Sequence, residues 1–264
     1  MPASRTGGVI GKRVVPTTLA APGVWQLGEV ESARRAGIWP GLDSLFSSVV
    51  LLLHLDGNLN DSSSAPKAFT AIGNAQTSTL QTKFGSGSLL LDGNADRIDA
   101  ASDAAWSMGT GDFTVEMFVR FASAPTVQHT FINVAASGGF SLYINGSSGS
   151  FFGTPANTLV LSNRSSNQLT AAWAPSANVW YHLAVTRSGG SIRAFVDGTQ
   201  IGSTVTGNST NYAQGALNIG GSSQDGAAWS VNGNIDEVRI TKGAGTARYI
   251  SNFTPPTTQF PTSL

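Results

Sequence analysis

Cysteine is missing altogether from these 264 residues, which removes disulfides and thiolate metal sites from consideration. Charge is scarce as well. Asp, Glu, Lys and Arg make up 11% of the chain and cancel to a net charge of zero. A nucleic-acid-binding surface needs a basic excess, because phosphate neutralisation supplies much of its affinity. No run of Lys and Arg here is longer than Arg34-Arg35, so no nucleic-acid partner is expected. Long apolar runs are absent too. The longest, Val49–Leu53, falls far short of the roughly 20 residues a membrane-crossing helix requires, and no membrane insertion is expected. The opening Met1–Arg13 lacks the apolar core of a signal peptide, which fits synthesis in the cytoplasm followed by assembly.

What the chain has in place of charge is Gly, Ser, Thr and Asn. These residues favour turns and caps over helix interiors, and the length suits one large all-β domain. Residues 1–23, rich in Gly, Pro and Thr, show no helical or strand period and are expected to order only along a partner. Residues 24–40 predict one short helix, with Leu27, Val30, Ala33 and Arg34 near one face and Pro40 as its stop. Trp25 and Trp39 bracket it, and an element so small cannot bury two tryptophans. They either pack back on the following domain or anchor into a neighbouring subunit, where Trp is favoured. Trp25, Leu27, Val30 and Trp39 are therefore the candidate anchor to a partner, and residues 1–45 a candidate arm ahead of a domain over 46–264.

From Val49 onward the pattern is β. Phe113, Val115, Met117, Val119 and Phe121 alternate with Thr114, Glu116, Phe118 and Arg120, a strong strand signal with one apolar and one mixed face. Tyr181, Leu183 and Val185 alternate against His182, Ala184 and Thr186. Gly189-Gly190 and Asp197-Gly198 predict hairpins on either side of Ile192–Val196. Ala216–Gly220 and Gly233–Ile240 add two more strands. Many short strands with turn signals and no helical crossovers predict a two-sheet antiparallel sandwich.

Several segments together resemble the concanavalin A-like lectin/glucanase superfamily in its laminin G-like form, as found in bacteriophage structural proteins. They are Leu51-Leu-Leu-His-Leu-Asp-Gly, Lys83-Phe-Gly-Ser-Gly-Ser-Leu-Leu-Leu-Asp-Gly, Thr110-Gly-Asp-Phe-Thr-Val-Glu-Met-Phe-Val, Trp180-Tyr-His-Leu-Ala-Val-Thr-Arg, Phe195-Val-Asp-Gly and Asn234-Ile-Asp-Glu-Val-Arg-Ile. They stand in the family's order over roughly residues 49–260. The opening Gly-Val-Ile-Gly, with Val24-Trp through Ile38-Trp-Pro, is similar to a short leader on phage structural proteins. The resemblance implies a jelly-roll sandwich on a virion-anchoring arm: a capsid decoration, head fibre or tail appendage. Its expected location is the virion and its expected partners are other virion proteins. A homo-oligomer is expected of such an appendage, although no heptad stretch demands one. The alternative it implies is a tail-fibre domain that binds a host receptor or glycan.

Fold does not fix chemistry, so any catalytic, metal or sugar site has to be carried by its own residues. A retaining glycosidase needs two carboxylates about 5–5.5 Å apart, and glucanases resembling this fold carry a Glu-x-Asp-x-Glu-like strand. The nearest match holds Asn234 and Val238 where the glutamates should stand, leaving Asp236 alone, with Glu237 expected on the opposite face. Of the three histidines, His54, His129 and His182, His54 and His182 sit within strand patterns and read as structural, and no Gly-x-Ser-x-Gly elbow is present. No catalytic residues are expected. Asp56-Gly-Asn58-Leu-Asn60-Asp61 spaces oxygen ligands as a calcium loop does, but Asp61 replaces the loop glycine and Lys67 the bidentate Glu. Sandwiches resembling this one sometimes hold structural Ca²⁺, which makes Asp56, Asp61 and Asp236 the candidate metal ligands; turn capping is the competing reading. Otherwise no cofactor is expected. Sugar stacking needs exposed aromatics beside polar groups. Tyr143 (near Asn145), Trp173, Tyr212 and Trp229, with Phe151-Phe152, are the candidates, against closure of the sandwich rim.

Overall fold

The computed structural model describes residues 43–149 and 153–262. The expected helix over 24–40, with Trp25, Leu27, Val30 and Trp39, lies outside the described residues, as do Phe151 and Phe152. Leu45–Phe260 forms one compact unit.

Among the described residues the strands are β1 (Val49–Leu53), β2 (Thr70–Ile72), β3 (Gln76–Ser78), β4 (Ser88–Asp92), β5 (Arg97–Ala100), β6 (Phe113–Phe121), β7 (His129–Ala135), β8 (Ser141–Asn145), β9 (Thr158–Ser162), β10 (Asn167–Ala172), β11 (Trp180–Ser188), β12 (Ser191–Val196), β13 (Thr199–Val205), β14 (Ala216–Ile219) and β15 (Asn232–Lys242). They form two sheets. The first runs β13-β12-β11-β6-β15-β4-β3, with β1 also paired to β15; the second runs β10-β9-β8-β7-β14-β5-β2. All these pairings are antiparallel. Helical content among the described residues is limited to three short 3-10 turns. The all-β sandwich expected from the sequence is what forms.

The period-2 pattern explains the core. Phe113, Val115, Met117, Val119 and Phe121 of β6 are fully buried and join Phe131, Leu142, Ile144, Leu159 and Leu161 of the second sheet in one cluster. Each such side chain stabilises the fold by about 1.5–3 kcal/mol relative to exposure. Both anticipated hairpins form. Asp197 and Gly198 have φ of 47° and 74°, the pair of positive values that a type I′ turn demands. Gly198 is doubly required, because a Cβ there would strike the carbonyl oxygen of Phe253, whose N–H donates to Gly198 O at 2.9 Å.

The mixed outer face of β6 is where strand periodicity stops being informative. Thr114, Glu116 and Phe118 are buried as completely as the core residues, because the segment after β15 lies over them. Tyr249 and Phe253 stack at 3.5 Å and pack against His182 and Phe195, while Phe260 joins Val49, Leu52 and Phe118 in a second apolar cluster. Under this cover Glu116 receives Arg239 Nε at 2.9 Å, Tyr249 Oη at 2.7 Å and His182 Nε2 at 3.1 Å. Burial pushes its carboxyl upward, but the Arg239 charge, the His182 bond and charge, and Arg248 outweigh it and hold it down at about 2.

One expectation about β15 is corrected. Glu237 does not face away from Asp236. A bulge falls between Asp236 and Arg239, and Glu237 takes a φ of 51°, which re-aims its side chain. Glu237 accepts from His54 Nδ1 at 2.8 Å and from Phe260 N at 2.8 Å, while Asp236, opposite Phe118, accepts from Lys83 N and Phe84 N. Both carboxylates thus meet segments laid over the same outer face.

Candidate functional site

The strand register builds a feature that no single strand contains. Thr70 of β2 pairs with Asp99 of β5, Asp99 with Asn218 of β14, and Asn218 with Asn133 of β7. Asn133 then pairs with Ser141 of β8, Ser141 with Ser162 of β9, and Ser162 with Asn167 of β10. One polar row therefore crosses the outer face of the entire second sheet. Directly paired residues share a face, and here each offers an amide, hydroxyl or carboxylate. The row is tied together laterally. Asn218 Nδ2 donates to Asp99 Oδ1 at 2.7 Å and Asn133 Nδ2 to Asn218 Oδ1 at 3.2 Å. Arg164, from the β9–β10 turn, donates to Asn133 Oδ1 at 2.8 Å and forks onto Asp225 at 3.2 and 3.3 Å. Asp225 belongs to the β14–β15 connection, which also sends Ser223 N onto Asn218 Oδ1.

Two residues along β8 from Ser141, on the same face, stands Tyr143. It is 3% exposed, and its hydroxyl has no hydrogen-bond partner among the described residues. Burial, and then the Asp225 charge, push the phenol up to about 12, with Arg164 opposing. It is a neutral donor at any physiological pH. A further two residues on, Asn145 lines a cavity of about 180 Å³ with Thr126, Val127, Gln128, Ser148, Gly149 and Trp229. Gln128 is buried there, and its Oε1 also lacks a partner among the described residues. His129 beside it donates from Nδ1 to Ser230 O at 2.6 Å, and burial pulls its pKa down despite that bond. The cavity is smaller than the roughly 300–1,000 Å³ of sites that engulf a drug-sized ligand. It fits a single ring-sized unit beside an indole.

Three of the four aromatic candidates are corrected by burial. Tyr212, fully buried, packs edge-on to Phe113 and Phe140, and Trp173, 9% exposed, packs against Phe121, Phe131 and Tyr181. Tyr143 has its ring covered as well, so only its hydroxyl is a candidate contact. None of the three offers a ring face to a sugar: Tyr212 and Trp173 close the core, and the Tyr143 ring is covered on the outer face. Trp229, partly exposed, does line the cavity. The residues that sequence reasoning passed over are Asp99, Gln128, Asn133, Arg164, Asn218 and Asp225. A signal existed for one of them: Leu217-Asn218-Ile219 sets an amide between two core positions, hence outward.

The three candidate metal ligands do not assemble into a site. Asp61 accepts the N–H groups of Leu52, Ser63 and Lys67; Asp56 accepts those of Ser86 and Gly87 together with Gln259 Nε2; Asp236 accepts Lys83 and Phe84. Hydrogen-bond donors, mostly backbone N–H groups, hold oxygens of all three carboxylates, and Asp236 Oδ1 alone lacks a partner among the described residues. Among the described residues no group of three His, Cys, Asp or Glu is arranged to hold a metal ion.

No curated protein sequence matches this chain. The binding domain of botulinum neurotoxin serotype D/C is similar in structure, with a TM-score of 0.57, 17% identity, and coverage of 75% of this chain and 49% of that one. The binding domain of botulinum neurotoxin DC in complex with SialylT gives 0.54, 16%, 75% and 48%. Domain 4 of AbnA, a GH43 extracellular arabinanase from Geobacillus stearothermophilus, in complex with arabinotriose, gives 0.53, 19%, 75% and 93%. The chain thus spans about half the length of the toxin domains and nearly all of the arabinanase domain. At these identities the likenesses show the fold. A family model matches residues 92–251, more than half of the sequence, and the chain belongs to the concanavalin A-like lectin/glucanases superfamily.

Proposed function

We propose that the sandwich is a lectin-like module that binds a saccharide on the outer face of its second sheet. The polar row from Thr70 to Asn167 carries this reading. The middle of the row, Ser162, Ser141, Asn133 and Asn218, is buried and serves as a hydrogen-bonded base that fixes the half-buried Asp99 and Arg164, and a saccharide needs donors and acceptors held at fixed spacing in this way. Trp229 and the cavity beside it supply the apolar contact that a sugar ring adds. Two of the structural neighbours were solved with a saccharide or SialylT bound, which supports the reading at the level of fold. The test is a glycan panel probed with the full chain. A binding glycan should lose about tenfold in affinity on Trp229→Ala, in line with the 1–2 kcal/mol typical of a central aromatic contact. A panel with no binder at any density would end the proposal.

For residues 1–45 we infer the virion-anchoring role, with the sandwich displayed outward on a phage particle. This rests on the Pro- and Gly-rich opening and the Trp25/Trp39 pair. Many copies on one particle would supply avidity to a weak saccharide site. Deleting residues 1–40, or replacing both tryptophans with Ala, is expected to abolish incorporation into particles, read by the protein content of purified virions. Full occupancy in those particles would exclude the anchor.

A further inference from the structure

The two basic groups on the candidate face are both matched by carboxylates: Arg97 by Asp99 and Arg164 by Asp225. They differ in how they are held. Arg97 and Asp99 share strand β5, whereas Asp225 reaches Arg164 from the separate β14–β15 connection. The Arg164 guanidinium is fixed from below by the buried Asn133, and its side chain is 19% exposed. Its contacts to Asp225, at 3.2 and 3.3 Å, are longer than the roughly 2.7–2.9 Å of a well-made charge-assisted bond. The nearby Tyr143 hydroxyl, buried and lacking a partner among the described residues, marks an acceptor position that the protein itself does not fill.

Resting on the saccharide reading above, we propose that Arg164 is the anion-recognising residue of this face and that its ligand is an acidic saccharide, a uronic or sialic acid. The ligand carboxylate takes the place now held by Asp225. The argument is one of charge conservation. A ligand that enters here displaces Asp225, and a neutral one would leave a largely buried guanidinium without a counter-charge, which is strongly unfavourable. An incoming carboxylate replaces one anion with another, keeps the fork on Arg164, and brings oxygens within reach of Tyr143. Asp225 is then an internal occupant that the ligand must compete with, and it lowers apparent affinity by the fraction of time it holds the site.

Calorimetry on the full chain tests this, with glucuronate- and N-acetylneuraminate-terminated trisaccharides and their carboxamide counterparts as neutral probes. The acidic form should bind at least tenfold more tightly than its carboxamide. Asp225→Asn should tighten the acidic probe by at least fivefold, because the competing anion is gone, and Arg164→Gln should erase the acidic preference. If Arg164→Gln does not fold, Asp225→Asn decides alone, and unchanged or weaker acidic binding in it overturns the proposal. Equal binding of acidic and neutral probes overturns the role of Arg164 while leaving the saccharide reading standing. No binding of any probe overturns both.

Discussion

Glu116→Ala should be among the most damaging single substitutions in this protein, costing about 3–5 kcal/mol of stability and lowering the melting temperature by roughly 10–15 °C. The carboxylate lies under the C-terminal segment with no exposed surface and is bound by Arg239, His182 and Tyr249, with Arg248 at 3.6 Å. Removing it leaves cationic groups packed against a void from which water is excluded. It also frees Tyr249, whose ring stacks on Phe253 and holds the segment down. The same geometry sets an acid limit. Because the folded carboxyl is held at about 2, below its unfolded value, its contribution is complete above roughly pH 4.5 and fades as pH falls towards 2, a loss of about 3 kcal/mol. Thermal melts of the wild type and Glu116→Ala from pH 7 to pH 2.5 check both statements. The two curves should converge in acid, and parallel curves would show that Glu116 is not the group responsible.

Asp236→Asn should act in the opposite sense and stabilise the protein at pH 8 by about 4 kcal/mol. Burial raises the Asp236 carboxyl, the N–H groups of Lys83 and Phe84 oppose it, and the charge of Glu237 raises it further, to about 7. Its Oδ1 has no hydrogen-bond partner among the described residues. Between roughly pH 4 and 7 the folded chain therefore keeps a proton that the unfolded chain has released. Stability falls as pH rises through that window. An amide keeps an acceptor for Lys83 and Phe84 and never ionises, so the variant should lose most of the slope. His54 contributes a slope of the same sign, reduced in the variant by loss of the Asp236 charge but kept by Glu237 and Asp56. Burial lowers its pKa, but the Glu237 bond and the charges of Glu237, Asp56 and Asp236 raise it on balance. Its stabilising charge is present at low pH and lost as pH rises. Urea titrations at pH 5 and pH 8 decide the matter, and an unchanged slope in Asp236→Asn would place the titrating group elsewhere.

The glucanase comparison shows how far a motif can be read. Asn234 and Val238 were legible as departures from a paired-carboxylate strand, and that conclusion needed only residue identity. The relation of Asp236 to Glu237 was not legible, because it depends on one backbone angle at Glu237 that inverts the facing of a residue in the middle of a strand. The aromatic candidates divide in the same way. Proximity to turns was visible for Tyr143, Trp173, Tyr212 and Trp229, but whether a ring seals the sandwich or faces a cavity depends on the opposite sheet. Only Trp229 ended at a cavity wall. Of the acidic candidates, Asp61 accepts the N–H groups of Ser63 and Lys67 just after it, as turn capping requires, whereas Asp236 lies inside β15 and accepts N–H groups from the distant Lys83 and Phe84.

The amino-acid sequence by itself determined the class of structure: alternation along β6 and β11, the Asp197-Gly198 turn and the lack of helical period leave an antiparallel sandwich as the consistent solution. Tertiary structure alone decided what the two outer faces became. A period of two says which side of its own strand a residue occupies, but it does not say which residue of another strand stands beside it. The row from Thr70 through Asp99, Asn133 and Asn218 to Asn167 exists only once the register of seven strands is set. Likewise, Glu116 became a buried ion only because a segment more than a hundred residues later in the chain folds back across it.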